Sequence, residues 1–209
     1  MAGKVIAIAQ QKGGAGKTTL VAQLAVCFAG LGHSVAVVDI DPQQSLSTWH
    51  AVRHEHLGGD GGITLRQVSG WRTGSEVERL RRDFGIVLVD SPPHGDTDAK
   101  IAVRSADRVL MPVQPGPMDY WAAKQSVALA EREKKDFLIV LNRVPARSRV
   151  ADQIRGMIEQ DGLAVAETTL GNRQAFAASL MLGLGVTEDQ PKGTAAAEIR
   201  ALAGEILKG

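Results

Sequence analysis

One short stretch of this chain places two lysines around a glycine-rich loop. It reads Gln11-Lys12-Gly13-Gly14-Ala15-Gly16-Lys17-Thr18-Thr19. Glycine lets the backbone approach a ligand closely, and successive N–H groups can then form a nest for phosphate oxygens. Lys17 is placed to reach the β- and γ-phosphates of a nucleotide, and the Thr18 hydroxyl to bind Mg²⁺. The spacing departs from the pattern G-x-x-x-x-G-K-[ST] only at position 11, which is Gln.

Lys12 is the unusual member of this loop, because one phosphate chain needs only one loop lysine. It precedes the loop, so its side chain is badly placed to duplicate the role of Lys17. A second cation near the γ-phosphate would stabilise transition-state charge, as groups supplied in trans do, by about 10³–10⁵ in rate. This interpretation predicts a site that is completed by two chains. A surface lysine at a turn is the alternative, and the residues alone favour neither.

The loop lies between a predicted strand and a predicted helix, the order that phosphate binding requires. Lys4 to Ala9 is an apolar, β-branched run typical of a buried strand. Thr18 to Gly30 is rich in Ala, Leu and Val and predicts a helix, whose N-terminus adds partial positive charge near the phosphates.

Apolar runs and helical patterns alternate along the rest of the chain. The other predicted strands are Ser34 to Asp39, Ile63 to Val68, Phe84 to Asp90, Arg108 to Val113, Phe137 to Asn142 and Val165 to Leu170. The other predicted helices are Ser45 to Arg53, Ser75 to Arg82 with Ser75 as its cap, Thr97 to Arg104, Met118 to Lys134, Val150 to Gln160, Ala175 to Leu182 and Ala195 to Leu207. Gly183 to Gly193 is predicted to be a loop.

This alternation predicts an α/β fold, a doubly wound and mostly parallel sheet with helices on both faces. We expect a single domain over residues 1–209, since that length suits one substantial core. Ligands of such sheets bind at the carboxyl ends of the strands. The glycine-rich loop, Asp39, Asp90 and Asn142 all lie at or just after predicted strand ends.

Two acidic segments could complete a nucleotide site. The strand before Asp39 and Asp41 ends there, because Pro42 lacks an N–H and favours an extended residue before it. Asp39 is then a candidate Mg²⁺ ligand, while Asp41 faces an attacking water. Asp90 follows an apolar run and is a second candidate for the Mg²⁺ shell. An ordinary acidic strand end before a turn is the alternative for Asp39 and Asp41.

Two further predictions concern the rim of this site. Ser91 to Asp96 is a candidate switch segment that senses the γ-phosphate. Asn142 is a candidate to read the adenine edge through its amide, with a turn-forming Asn as an equal alternative.

Composition narrows the class of protein. The chain is 44% hydrophobic and 22% charged, with a net charge of +1, so no global charge favours nucleic acid. Its single cysteine, Cys27, excludes an internal disulfide and a multi-cysteine metal site within one chain. No apolar run approaches the ~20 residues of a membrane span, and the start of the chain shows no signal peptide pattern. We therefore expect a cytoplasmic protein.

Taken together, the motifs resemble the ParA family of deviant-Walker ATPases, within the wider group that includes MinD. The similar stretches are QQKGGAGKTT, VAVVDIDPQQS, IVLVDSPP and VLMPVQPGPMD, with LNR further on. The resemblance extends from the first strand to about Asn142. It implies a P-loop NTPase fold with ATP and Mg²⁺ as cofactors, and it covers no N-terminal helix-turn-helix domain.

The resemblance also implies roles for individual residues. Lys12 corresponds to a signature lysine that reaches the phosphates of the partner in a nucleotide-sandwich dimer. Lys17 and Thr18 correspond to the phosphate and Mg²⁺ residues, Asp41 to the aspartate needed for hydrolysis, and Asp90 to the Walker B acid. The predicted nucleotide contacts are Lys12, Gly13, Gly14, Ala15, Gly16, Lys17, Thr18, Thr19 and Asn142; the predicted metal residues are Thr18, Asp39 and Asp90; the predicted catalytic residues are Lys12, Lys17 and Asp41.

The resemblance also implies a cycle in which ATP binding controls DNA binding. ATP closes a homodimer, the dimer binds DNA non-specifically over the nucleoid, and a ParB-like partner protein on a cargo stimulates hydrolysis. Plasmids, chromosome origins and protein compartments would all use such a cycle. The candidate DNA contacts are Arg143, Arg147, Arg149 and Arg173, although basic clusters are usually solvated faces.

Three alternatives lie nearby. A MinD-like ATPase that cycles on membranes needs an amphipathic helix with a basic polar face. The segment AAAEIRALAGEILKG has a neutral polar face, which favours a core-packed helix and no stable membrane association. An iron protein of the nitrogenase type needs two cysteines per chain, so the single Cys27 excludes that alternative. A dethiobiotin synthetase shares the fold but usually lacks K-G-G-x-G-K-T, so the motif disfavours that alternative.

Overall fold

The computed structural model describes residues 2–93 and 96–208, without the side chain of Asp96. The strands found there are β1 (Lys4–Ile8), β2 (Val35–Asp39), β3 (Ile63–Gln67), β4 (Ile86–Asp90), β5 (Arg108–Val113) and β6 (Asp136–Leu141). The helices are α1 (Lys17–Gly30), α2 (Ser45–Leu57), α3 (Arg72–Asp83), α4 (Asp96–Ser105), α5 (Pro117–Arg132), α6 (Arg149–Gln160), α7 (Gln174–Met181), α8 (Val186–Asp189) and α9 (Thr194–Lys208).

The strands form one sheet in the order β3-β2-β4-β1-β5-β6, and every neighbouring pair is parallel. This confirms the predicted α/β sheet. The register places Asp90 beside Ile8 on one side and beside Asp39 on the other. The carboxyl ends of β1, β2 and β4 therefore meet at one edge, where the glycine-rich loop leaves β1.

The sheet is covered on both faces because its strands are apolar on both sides. Ile6 and Ile8 point into a core with α1 and α9, whereas Val5 and Ala7 point into the opposite core. The helix α1 is buried from Leu20 to Phe28, since other helices surround it. A helix that is apolar on all sides is a helix of the interior.

The helix α9 packs its apolar face on the first of these cores. Ile199, Leu202 and Ile206 are fully buried there, which confirms the prediction of a core-packed helix. Each such side chain contributes about 1.5–3 kcal/mol when it leaves water. None of the described helices is long and apolar enough to span a bilayer.

Three local predictions were wrong. Val165 to Leu170 is not a strand. It bonds to β6 at its two ends, through the Ile139–Val165 bridge and from the Leu170 N–H to the Leu141 carbonyl. Between these ends the Glu205 carboxylate accepts from the N–H groups of Glu167 and Thr168 at 2.8 and 2.7 Å. Ser75 does not cap α3, which begins three residues earlier, and its hydroxyl donates to the Arg72 carbonyl. The predicted loop from 183 to 193 contains the single-turn helix α8.

A buried arginine joins α2 to α8. The Arg53 side chain is 1% exposed, and its guanidinium donates to both Glu188 carboxylate oxygens at 2.7 and 2.8 Å. It also donates to the carbonyls of Asp60, Gly61 and Gly183. These acceptors satisfy a cation that would otherwise be costly to bury.

Candidate nucleotide site

The loop after β1 takes the shape that its glycines allow. Gly14 and Gly16 have φ of 76° and 92°, a left-handed conformation that L side chains rarely adopt. The helix α1 starts directly afterwards at Lys17, so its free N–H groups face the loop. A β-carbon on Gly16 would lie 2.6 Å from Asn142 Nδ2, so the buried Asn142 amide would have to shift.

A cavity of about 1010 Å³ opens over this loop. Its lining includes seven of the residues predicted to form the site: Gly14, Gly16, Lys17, Thr18, Thr19, Asp41 and Asn142. The α2 and α7 side chains Trp49, Phe176 and Leu180 extend it as an apolar wall. The predicted contacts Lys12, Gly13 and Ala15 do not line it. Ala15 is buried, and a β-carbon on Gly13 would lie 3.9 Å from the β-carbon of Pro93, which does line the cavity.

Lys17 lines this cavity, and its charge interacts with that of Asp90, which is fully buried at the end of β4. Burial lowers the pKa of Lys17, and the charges of Asp90 and Asp41 oppose that change. Burial raises the pKa of Asp90 to about 7; Thr18 and Lys17 lower it, while Asp39 and Asp41 raise it further. Both Asp90 oxygens are buried without a hydrogen bond of normal geometry from any described residue. Buried carboxylate oxygens normally have a partner, so two oxygens without such a bond among the described residues indicate a site for a cation or a further donor.

Mg²⁺ fits such a site. It is usually held by one or two carboxylates together with nucleotide phosphates, which suits Asp90 and the Thr18 hydroxyl. Among the described residues no group of three His, Cys, Asp or Glu side chains surrounds a common point, so an all-protein metal cage is not formed there.

Asp39 and Asp41 have different surroundings. The Asp39 carboxylate is buried and accepts from the Asp41 N–H at 3.1 Å and from the N–H and hydroxyl of Ser47 at 2.9 and 2.7 Å. It therefore fixes the turn between β2 and α2, and its role as a metal ligand stays a prediction. Asp41 lines both the large cavity and a second one of about 580 Å³, which also contacts Arg66 and Arg72.

Side chains from distant strands support the loop from behind. Asn142 donates to the Ala15 carbonyl at 2.8 Å and accepts from the Arg143 N–H at 2.9 Å. Gln114 donates to the Gly14 carbonyl at 3.0 Å. Gln114 was not predicted from the sequence, although it belongs to the segment VLMPVQPGPMD that carried part of the resemblance. The adenine contact of Asn142 stays a prediction.

Lys12 points away from this cavity. Its ammonium nitrogen lies 2.8 Å from Asp119 Oδ1 on α5, and the lysine side chain is 41% exposed. Lys12 and Lys17 therefore occupy different environments, one at the surface and one in the cavity lining. The role of Lys12 across two chains stays a prediction.

The four candidate DNA-contacting arginines fall into two groups. Arg143 and Arg173 lie on neighbouring segments and line the large cavity, where Arg173 pairs with Glu198 at 2.6 Å. Arg147 and Arg149 are exposed at the start of α6 and form no ion pair with a described residue. Of the predicted switch segment, His94 and Gly95 lie outside the described residues.

A phosphate loop at the carboxyl edge of a parallel sheet, followed by an interior helix and a free carboxylate, defines a P-loop nucleotide-binding protein. A family profile described as the CobQ/CobB/MinD/ParA nucleotide-binding domain matches residues 6–185. The chain belongs to this family, and the resemblance to ParA and MinD ATPases is confirmed.

Individual relatives cover nearly the whole chain. The chain is 27% identical over 209 residues to maintenance of carboxysome distribution protein A of Halothiobacillus neapolitanus, covering 97% of this chain and 95% of that protein. It is 28% identical over 190 residues to protein ParA of Rhizobium radiobacter, covering 86% and 83%. Septum site-determining protein MinD of Pyrococcus horikoshii, solved with Mg-ADP, shares the fold with a TM-score of 0.78 at 18% identity, covering 97% and 95%.

Proposed function

We propose that this chain is a ParA-type ATPase that dimerises with ATP and Mg²⁺, binds DNA without sequence preference and positions a cargo. A ParB-like partner protein on that cargo stimulates hydrolysis and so ends the DNA-bound state. The observation that carries the proposal is the separation of the two lysines, since Lys12 is outside the cavity that Lys17 lines. The carboxysome-distribution and ParA relatives agree with a positioning role.

The residues of the site have separate tasks in this proposal. Lys17 and the N–H groups at the start of α1 bind the phosphates, and Asp90 with Thr18 holds Mg²⁺, which neutralises phosphate charge when bound. Asp41 orients the attacking water, because it lines the cavity while keeping a route to solvent. Lys12 supplies positive charge to the γ-phosphate of the other chain, so hydrolysis depends on pairing.

ATP-dependent pairing is tested by two substitutions with opposite effects. We expect Asp41→Ala to hold an ATP-bound dimer, because hydrolysis is lost while binding remains. We expect Lys12→Ala to stay monomeric, because its ATP site lacks the second cation. Size-exclusion chromatography with light scattering in Mg-ATP measures both, and Lys124→Ala on α5 is the matched control for lost surface charge. An ATP-independent monomer for Asp41→Ala contradicts the proposal.

DNA binding is tested on the Asp41→Ala dimer. We expect affinity for a non-specific duplex to fall steeply with salt, because phosphate contacts release counterions. Replacing both Arg147 and Arg149 with Ala should lower the slope of log affinity against log salt by about 1 for each lost phosphate contact. Arg82→Ala, which removes an exposed arginine on α3, should leave the slope unchanged.

A MinD-like membrane ATPase is the second candidate function, since solved MinD has the same fold. The burial of the apolar face of α9 argues against it, because that face is occupied by the core. We expect no stable membrane association and a cytoplasmic protein that joins the nucleoid when ATP-bound. Retention on anionic vesicles without DNA binding would favour the membrane function instead.

A further inference from the structure

Lys12, which in the proposed function acts at the ATP site of another chain, forms an ion pair with Asp119 of its own chain. The two groups are 2.8 Å apart, and Asp119 is only 17% exposed whereas Lys12 is 41% exposed. Asp119 is the third residue of α5, which begins at Pro117 after the N-cap residue Gly116. The free N–H groups of a helix start stabilise a carboxylate at that position, so Asp119 is a well-supported acceptor for the ammonium.

The helix α5 also bonds to the two residues just before the glycine-rich loop, through Ser126. Buried Ser126 accepts from the Gln11 N–H at 3.3 Å and donates to Gln10 Oε1 at 3.1 Å. Asp119 and Ser126 are seven residues apart, which is two helical turns or about 10 Å on one face. One face of α5 therefore fixes both the backbone before the loop and the side chain of Lys12.

Lys12 has to leave this position in order to act on another chain. Its own cavity is already lined by Lys17, and the Lys12 side chain is not part of the cavity lining. When the ammonium moves to a phosphate of another chain, Asp119 loses its partner while it is still largely covered. The ion pair therefore competes with dimer formation.

We infer that Asp119 is a positioning residue that keeps Lys12 within its own chain and so opposes ATP-dependent pairing until two loaded chains meet. This inference rests on the proposed function, since it assumes that Lys12 acts across the dimer. An ion pair of this exposure changes an equilibrium by about 1.4- to 5-fold. Because two pairs break for each dimer, Asp119→Asn should lower the dimer dissociation constant by about 2- to 30-fold.

Sedimentation equilibrium with Mg²⁺ and adenylyl imidodiphosphate measures that constant. Asp119→Asn should dimerise more tightly than the unmodified chain, and Asp119→Glu, which keeps the carboxylate, should restore the original value. Asp161→Asn is the matched control, since it removes an equal charge from the Lys124–Asp161 pair, whose lysine lies on the same helix. Weaker pairing of Asp119→Asn, or an equal effect of Asp161→Asn, overturns the inference.

A second measurement needs no dimer. Urea unfolding of the nucleotide-free chain, of Lys12→Ala, of Asp119→Asn and of the double variant forms a double-mutant cycle. We expect a coupling of about 1.4- to 5-fold in the unfolding equilibrium constant, and its absence overturns the inference. If the cycle shows coupling but no variant pairs with the analogue, the proposed dimer is wrong and the inference falls with it. If pairing occurs but is insensitive to Asp119, only the inference is wrong.

Discussion

The carboxylate of Asp90 should make the nucleotide-free protein less stable as pH rises, and Asp90→Asn should remove that effect. Both oxygens are buried without a hydrogen bond of normal geometry from a described residue, and burial raises the pKa of this group from 3.8 to about 7. A group whose pKa is higher in the folded state binds its proton more tightly there. The stability that this proton contributes is complete below about pH 4 and is lost as pH rises to about 7, where the folded-state carboxyl ionises.

The magnitude follows from the difference between a pKa of 3.8 and one of about 7. At 1.36 kcal/mol for each unit, the full cost of ionising Asp90 in the folded protein is about 4 kcal/mol. Between pH 5 and pH 8 the native chain should lose about 2–3 kcal/mol of unfolding free energy relative to Asp90→Asn. The buried Asn amide has its own cost of about 1–3 kcal/mol, but that cost does not vary with pH.

Urea unfolding at pH 5, 6, 7 and 8 in the presence of EDTA measures this difference. The informative quantity is the change with pH of the native-minus-variant free energy, since other titrating groups are common to both proteins. A native-minus-Asp90→Asn difference that stays constant from pH 5 to pH 8 would refute this account of the site.

Two further predictions concern packing. Both Gly16→Ala and Gly14→Ala carry the strain of a positive φ, about 1–2 kcal/mol. Gly16→Ala should weaken ATP binding further in calorimetry, because its methyl group would displace the Asn142 amide that bonds to the loop at Ala15, whereas Gly14→Ala meets nothing within 4 Å. Equal affinity for ATP in the two variants would contradict the clash. Glu188→Gln should lower the unfolding free energy by about 1.5–3 kcal/mol, because buried Arg53 loses its charged partner but keeps three carbonyl acceptors. An unchanged urea midpoint would show that the carbonyls suffice.

Much of the fold was predictable because strands and helices have characteristic local sequence patterns. Apolar runs such as Val35–Asp39 are typical of strands in a parallel sheet that is covered on both faces. Their alternation with helices limits the number of possible sheet topologies. The segment from Val165 to Leu170 was predicted wrongly for the same reason. Its residues have a strand composition, but the Glu205 carboxylate on α9 binds its N–H groups. A competing acceptor 37 or 38 residues away leaves no trace in a local pattern.

The sequence by itself determined the chemistry of the loop, since the spacing of Gly14, Gly16 and Lys17 can be read without a fold. The tertiary structure decided what each charge near the loop faces. The Asp90 carboxylate has no hydrogen bond of normal geometry from a described residue, and the Asp39 carboxylate bonds to the turn before α2. Asp119 lies beside Lys12 although the two are 107 residues apart in the sequence. The reason is physical: backbone conformation depends on near neighbours, whereas the environment of a charge depends on every strand and helix that closes around it.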